Sequence, residues 1–272
     1  MSVIVAEVLS AIDRLWPSSG TQPWDAPGLL AGDPSSGVER IHLAVDAVGE
    51  TVDEAIELGA DLLLVHHPLL LRGVTSVAED RYKGAMLARL IRAGCALVAA
   101  HTNADVVGTG TSAVFASVIG LTDTRPIVGD SDGSTGLGRV GALPEVTTLG
   151  ALARRLAEIL PPTASGIRVS GAYDAPISTV ALCGGAGDSL LSEPAVLDAD
   201  VYITSDLRHH PASEARENAR LRRGPALIDV SHWASEWLWL ETAADELRLA
   251  LPGVKVTVSD IRTDPWDFVV VQ

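Results

Sequence analysis

The side chains best suited to chemistry fall in three short stretches. His66 and His67 follow the apolar run Asp61–Val65. His101 follows Ala96–Ala100, and Asp105 lies four residues on. His232 comes just after Ala226–Val230, and Glu236 lies four residues beyond it. Imidazole and carboxylate without thiolate suit Zn, Fe, Mn or Co. Four of the seven histidines stand in these places, and the others are His42, His209 and His210. An adjacent His pair is common in loops, and His-x-x-x-Glu is common at helix starts. What sets this group apart is repetition, because each member follows a segment that reads as a strand.

Those segments define the scaffold. Ile41–Val45, Asp61–Val65 and Ala96–Ala100 read as strands, and the spacing predicts helices over Thr51–Leu58 and Lys83–Ala93 between them. A first helix is expected over residues 3–16, ended by Pro17, and Trp24–Gly28 reads as a loop. Ser131–Gly138 is rich in Ser, Gly and Asp and reads as a linker or excursion. Beyond it come a helix over Thr148–Leu160, strands over Ile167–Ser170, Thr179–Leu182, Val201–Thr204 and Ala226–Asp229, and helices over His210–Ala219 and Trp233–Leu249. Val254–Ser259 and Phe268–Val271 read as closing strands. Alternation of this kind predicts an α/β fold with parallel strands, in two halves, residues 1–125 and 138–272. Open α/β sheets collect ligands beyond the carboxyl ends of their strands, where the histidines stand. If the last long helix starts near Trp233, His232 and Glu236 share one of its faces.

Composition excludes other classes. The chain has 272 residues, of which 47% are apolar and 20% charged, with a formal net charge of −15. Binding to nucleic acid or an anionic membrane needs clustered cations, and the nearest approach is the short run Arg220-Leu221-Arg222-Arg223. No nucleic-acid or membrane partner is expected, because no apolar stretch is long enough to span a bilayer. Cys95 and Cys183 lie in apolar stretches and read as buried, reduced thiols, which suits the cytoplasm. The first residues lack a basic region and carry Glu7 and Asp13, so they read as an amphipathic helix rather than a signal peptide.

The three stretches, Asp61-Leu62-Leu63-Leu64-Val65-His66-His67-Pro68, His101-Thr102-Asn103-Ala104-Asp105 and Asp229-Val230-Ser231-His232-Trp233-Ala234-Ser235-Glu236, resemble signatures of one family. Trp24-Asp25-Ala26-Pro27-Gly28-Leu29 and Gly32-Asp33-Pro34 resemble its N-terminal loop, and Cys183-Gly184-Gly185-Ala186-Gly187 its mid-chain turn. The chain is similar from first helix to last strand to the Nif-three-like dinuclear metal-centre proteins, named as homologues of a type-two GTP cyclohydrolase I. The resemblance implies two α/β halves with helix-covered sheets, facing each other across a metal-containing cleft, and a toroidal homohexamer. It implies two divalent cations per chain. His66, Asp105 and Glu236 would hold one and His67 and His232 the other, with Asp105 and Glu236 bridging. Some relatives carry a large domain between the halves, for which this chain is too short. Ser231, Trp233-Ala234-Ser235 and Gly110-Thr111-Ser112 depart from the family pattern, which puts substrate fit in doubt but removes no ligand.

Two divalent ions facing two carboxylates leave a local charge of about +2, which favours a small anionic ligand. Paired metals suit hydrolysis of a phosphoester, an amide or a purine ring, and the family's name points to GTP. His101 is the only clear acid or base beside the ligands, and its role is either proton transfer or orientation of Asp105. The alternative to a hydrolase is a metal-binding scaffold or metal-handling assembly protein without turnover. Gly184-Gly185-Ala186-Gly187-Asp188 reads as a tight strand-to-helix turn or a phosphate cradle without a P-loop Lys. His209-His210-Pro211 echoes His66-His67-Pro68 and resembles a family segment that faces the cleft. Trp233, Trp237 and Leu240 at helical spacing read as core.

Overall fold

Short, wholly apolar runs are at home in the middle of a sheet, where both faces are covered. Leu62–Val65 and Ala96–Ala99 are such runs, and every residue in them is buried. In the computed structural model, which describes residues 3–130, 133–222 and 224–271, they lie side by side as parallel strands, Leu62 opposite Ala96 and Val65 opposite Ala99. Arg40–Ala44 pairs parallel on the other side of Leu62–Val65, and Lys255–Val258 pairs parallel with Arg40–Ala44. Gly28–Ala31 closes the far edge antiparallel to Ala96–Ala99. The sheet thus has five strands.

This sheet belongs to the first of two compact units, Met1–Ala104 with Leu240–Thr263. Helices Gly49–Glu57 and Tyr82–Ala93 make the crossovers that parallel pairing requires. Val52, Ala55, Leu87 and Leu90 pack on Leu63, Val65, Leu97 and Ala99 to form a core. Tyr82–Ala93 ends at Gly94, whose left-handed φ of 70° closes the last turn. Helix Val5–Leu15 buries Val5, Val8, Ala11 and Ile12, and Glu7 reaches back to accept the Ile4 N–H.

The second unit is Asp105–Trp239 with Asp264–Gln272. Its six-stranded sheet runs Arg168–Ser170, Ala226–Val230, Val201–Ser205, Pro176–Ala186, Arg139–Thr148, Thr122–Arg125. Val201–Ser205 is parallel to both neighbours, and the other pairs are antiparallel. The expectation of parallel strands therefore holds only for the middle of this sheet. The strand Arg139–Thr148 was hidden by Gly141 and Pro144, residues that weaken a strand pattern, and it carries an irregularity between Ala142 and Thr147. Helix Leu149–Ile159 is capped by the Thr148 hydroxyl, which accepts the Ala151 N–H. Ile127, Ala181, Tyr202 and Leu227 anchor the core. In the expected linker, Gly136–Leu137 pairs with Val128–Gly129 in a small hairpin, while Ser131 and Asp132 lie outside the described residues. So does Arg223 of the short basic run.

The long helix His232–Ala250 opens in the second unit and continues through residues assigned to the first. Trp233 and Leu240 are buried and Trp237 is half-buried. Phe268–Val271 is not a strand. Its β-branched residues suit one, but no described edge pairs with it, and Phe268 and Val271 are 79% and 89% exposed. No helix is long and apolar enough to cross a membrane among the described residues. Cys95 and Cys183 are free and buried, as expected.

Asp200 fastens the entry to the central strand of the second sheet. One carboxylate oxygen accepts the N–H groups of Ser178 and Thr179, both at 2.8 Å, and both hydroxyls, at 2.9 Å. Burial works to raise its pKa, but these hydrogen bonds prevail and hold it below the usual carboxylate value. The contribution to stability is therefore present above the unfolded pKa and is lost as pH falls through the folded one. Asp200→Ala should cost about 1–3 kcal/mol at neutral pH. In denaturant unfolding the gap from wild type should close on acidification; a gap independent of pH would disprove the role.

Candidate metal centre

Register decides which side chains emerge together. Val65 lies opposite Ala99, so the residues that follow, His66 on one strand and Ala100-His101 on the next, leave the sheet at one level. His66 is fully buried, and its Nδ1 lies 2.8 Å from the Ala100 carbonyl. A carbonyl only accepts, so Nδ1 carries the hydrogen and the neutral ring's lone pair is on Nε2. His67 places Nδ1 2.8 Å from Asp46 Oδ1. Asp46 follows the neighbouring strand, and its other oxygen accepts the Thr263 hydroxyl. His101 places Nδ1 2.8 Å from Asp25 Oδ1, and Asp25 also accepts the Thr102 N–H and hydroxyl. Burial works to raise the Asp25 pKa, but the hydrogen bonds and charge interaction hold it well below the usual range.

The three rings close on one another. Ring centroids are 5.1 Å apart for His66–His67 and for His66–His101, and 5.4 Å for His67–His101. One ligand atom from each of the three rings lies within 4.8 Å of the others, a group able to hold a metal ion. Metal-ligating histidines characteristically give their second N–H to a carboxylate or carbonyl, which fixes tautomer and ring orientation. All three do so here, two to a carboxylate and one to a carbonyl, and the donor set therefore fits a divalent cation.

The second unit repeats the arrangement. His232 opens its helix, and its Nε2 lies 3.0 Å from Glu236 Oε1 one turn on. An imidazole lone pair and a carboxylate oxygen are both acceptors, so a proton or a cation has to be shared between them. His232 Nδ1 is 2.7 Å from Asp206 Oδ2. Asp206 follows the strand Val201–Ser205 with a left-handed φ of 58°, uncommon outside glycine and tolerated chiefly by Asn and Asp. The hydrogen bond from His232 lowers the Asp206 pKa, against the effect of burial. Gly185 adopts φ 70°, and a Cβ there would lie 2.3 Å from Glu236 Oε1 and 3.2 Å from His232 Nε2. A side chain there would meet this crowding together with the strain of the left-handed backbone.

Hydroxyl groups finish the frame. Asp105 accepts the Thr111 hydroxyl. Ser112 Oγ accepts the Gly184 N–H at 3.1 Å, and Ser235 Oγ accepts the Gly185 N–H at 2.9 Å. Ser231 donates to Asp264 at 2.6 Å and accepts the Ala234 N–H at 3.2 Å, capping the helix that carries His232. The hydroxyls of Thr111, Ser112, Ser231 and Ser235 thus brace the segments that carry the site residues. The glycine run is the end of the strand Pro176–Ala186, followed by a short 3₁₀ turn at Asp188–Leu190, and two of its N–H groups are already engaged. Burial, with the negative charge of Asp105 second, pushes the Cys183 thiol up to about 12, so it offers no thiolate at neutral pH.

Within the first unit the structure brings together His66, His67 and His101, and within the second His232 and Glu236. Asp105 also belongs to the second unit. His209 and His210 are exposed at the start of helix His209–Leu221. His42 is buried with Nδ1 2.9 Å from Thr257 and Nε2 3.0 Å from Glu54, a histidine of the core. Sequence reasoning missed Asp25, Asp46 and Asp206 as partners of the rings. The signal was present for two of them, since Asp46 and Asp206 stand just past strand ends as the histidines do. Asp25 lay within the quoted N-terminal loop.

Residues 3–265 match the family model Duf34/NIF3 (NGG1p interacting factor 3). A Streptomyces coelicolor protein named GTP cyclohydrolase 1 type 2 homolog is 46% identical over 269 residues, 96% of this chain and 93% of that one. A Mycobacterium leprae protein of the same name is 35% identical over 375 aligned positions, covering 98% of this chain and 96% of its own. That alignment is longer than the 272 residues here, so the mycobacterial relative carries sequence that this chain lacks. A Bacillus cereus protein described as related to NIF3 shares the fold with a TM-score of 0.91 at 22% identity, over 99% of this chain and 100% of the other. A Staphylococcus aureus protein gives 0.89 at 27% identity, over 99% and 100%.

Asp46→Ala and Asp206→Ala should each weaken divalent-metal binding by roughly 10–100-fold, the usual effect of removing a ligand's hydrogen-bond partner. Asn at either position keeps an acceptor and should lose less. Competition titration with a chromophoric chelator measures this, and wild-type affinity in both alanine variants would dismiss the orienting role.

Proposed function

The chain belongs to the Duf34/NIF3 family, and from that premise we propose that His66, His67, Asp105, His232 and Glu236 hold two divalent cations in a metal-dependent hydrolase of a small anionic substrate. The observation that carries this reading is the common posture of the imidazoles. His66, His67 and His232 each engage Nδ1 with an acceptor at 2.7–2.8 Å, and so present Nε2 as ligand. In the proposed assignment His66, Asp105 and Glu236 would hold one ion and His67 and His232 the other. The metal is Zn, Fe, Mn or Co by donor chemistry. Bound as a pair, such ions supply Lewis acidity and an activated water nucleophile.

The chain's own residues supply the rest. Two carboxylates do not neutralise two divalent ions, and the excess charge draws an anion into an otherwise acidic protein. His101 has its Nδ1 tied to Asp25 and its ring beside His66 and His67. Its Nε2 is the atom proposed to take a proton from a nucleophile or give one to a leaving group. Trp24 packs against the His101 ring in a T-shaped pair with centroids 5.7 Å apart, which limits the ring's other orientations. The names of the Streptomyces and Mycobacterium relatives make a purine nucleotide the first substrate class to try. The assembly proposed is a homohexamer.

Protein purified without chelator should carry about two divalent ions per chain by elemental analysis, as paired-metal sites do. His67→Ala and His232→Ala should deplete one ion more than the other, and full retention of both would sink the ligand assignment. Metal content should fall as pH drops into the imidazole range, because protons compete for the ligand nitrogens. In a nucleotide turnover screen, His101→Ala should keep both metals and lose about 10²–10⁴-fold in rate. A loss of metal with no separate loss of rate would make His101 a ligand or an orienting group instead. Light scattering should report six chains per particle; a monomer at micromolar concentration contradicts the assembly.

A further inference from the structure

Twenty Lys and Arg side chains face thirty-five carboxylates in this chain, so clustered cations need a reason. Arg168, Arg216 and Arg220 line one cavity of about 530 Å³ in the second unit. Arg168 comes from the edge strand Arg168–Ser170, which among the described residues pairs only with Ala226–Val230. The opposite wall is helix His209–Leu221, whose residues 209, 213, 216 and 220 fall at successive spacings of four, three and four. That spacing puts His209, Ser213, Arg216 and Arg220 on one helical face, and all four line the cavity. The face is a stripe of hydrogen-bond donors, and the helix has no fully buried residue.

Two of the three guanidinium groups are paired with carboxylates, and the third is not. Arg168 pairs with Asp229 at 2.5 Å, and Asp229 also accepts the Leu207 N–H at 3.2 Å. Arg220 pairs with the exposed Glu217 at 2.7 Å. Asp206 also acts on Arg168 through its charge, so carboxylates offset Arg168 and Arg220, and the local positive charge rests on Arg216, which makes no ion pair among the described residues. The guanidinium plane offers paired N–H donors that match phosphate oxygens. At physiological salt a field is screened within roughly 8 Å, so the Arg216 charge acts locally despite the chain's net charge of −15.

We propose that this cavity binds a small phosphate-type anion, free or as a phosphate monoester, through Arg168, Arg216 and Arg220, with His209 and Ser213 as further donors. The site does not depend on the metal reading. It does share a peptide with it, since Leu207 lines the cavity and the preceding residue, Asp206, orients His232. An anion that draws Arg168 from Asp229 therefore acts on a segment continuous with the His232 partner.

Calorimetric titration of the full-length protein, as purified and at constant ionic strength, tests this with two probes, inorganic phosphate and guanosine monophosphate. Saturable binding is expected, and Arg216→Ala and Arg220→Ala should each weaken it by roughly tenfold or more, the worth of a charge-assisted hydrogen bond. Arg216→Lys keeps the charge without the fork and should fall between. Metal content measured on the same samples should match wild type, which separates this proposal from the metal assignment, since either can fail alone. A nucleotide that binds tighter than phosphate and loses that advantage in the variants identifies a monoester ligand; equal affinities identify the free anion. No saturable binding, or isotherms identical in wild type and both alanine variants, overturns the site.

Discussion

The hydrogen bond from His66 to the Ala100 carbonyl ties the chemistry of the first unit to its fold. It forms because Leu62–Val65 and Ala96–Ala99 pair in parallel, in register, with Val65 opposite Ala99. A one-residue slip would turn every side chain to the opposite face, burying polar groups and separating His66 from its acceptor. The register is secured by burial on both faces, since all eight residues of the two strands are buried. The imidazole posture is thus fixed by hydrophobic burial, which has no direction of its own, acting through a backbone ladder that does.

Orientation beyond that ladder falls to carboxylates and hydroxyls. Asp25, Asp46 and Asp206 each hold one ring by its Nδ1. None is a passive surface acid, because each spends further hydrogen bonds or backbone strain on the task. Asp25 accepts two more hydrogen bonds from Thr102, Asp46 one from Thr263, and Asp206 adopts a left-handed backbone. Gly185 completes the logic from the other side. Its missing Cβ leaves room for Glu236, and its N–H is held by Ser235 from the same helix turn as His232. A substitution at Gly185 would meet both a steric and a conformational barrier.

Much of this could be read from residue types alone, and the reasons are physical. The buried parallel strands declared themselves as apolar runs, and their flanking histidines stood out because charged or polar groups past a buried strand have few structural uses. The pairing of His232 with Glu236 followed from helical periodicity. Other features could not be read this way. The antiparallel strand Arg139–Thr148 carries Gly and Pro and an irregular register, so its pattern resembles a loop. The tail Phe268–Val271 has the composition of a strand but no described edge to pair with, and strand propensity is realised only against a partner. The second partners of the rings are aspartates, residues that also occur in every turn, so their type carries little information until distances are known.

The same distinction bears on how an acidic chain can handle an anion. A net charge of −15 is a property of the surface as a whole, and it argues against extended polyanions that must lie along that surface. It does not argue against a small anion, which meets only the charges within a Debye length. The two proposed sites would meet that local test by different means. At the imidazole clusters, the proposed metal ions would bring the positive charge, because ring nitrogens and carboxylate oxygens donate their lone pairs to cations. In the cavity beneath helix His209–Leu221 it is built in, as arginines set at helical spacing opposite an edge strand. The Asp206-Leu207 peptide joins the two, with one residue on His232 and the next on the cavity wall. The two proposed sites therefore draw on one stretch of backbone.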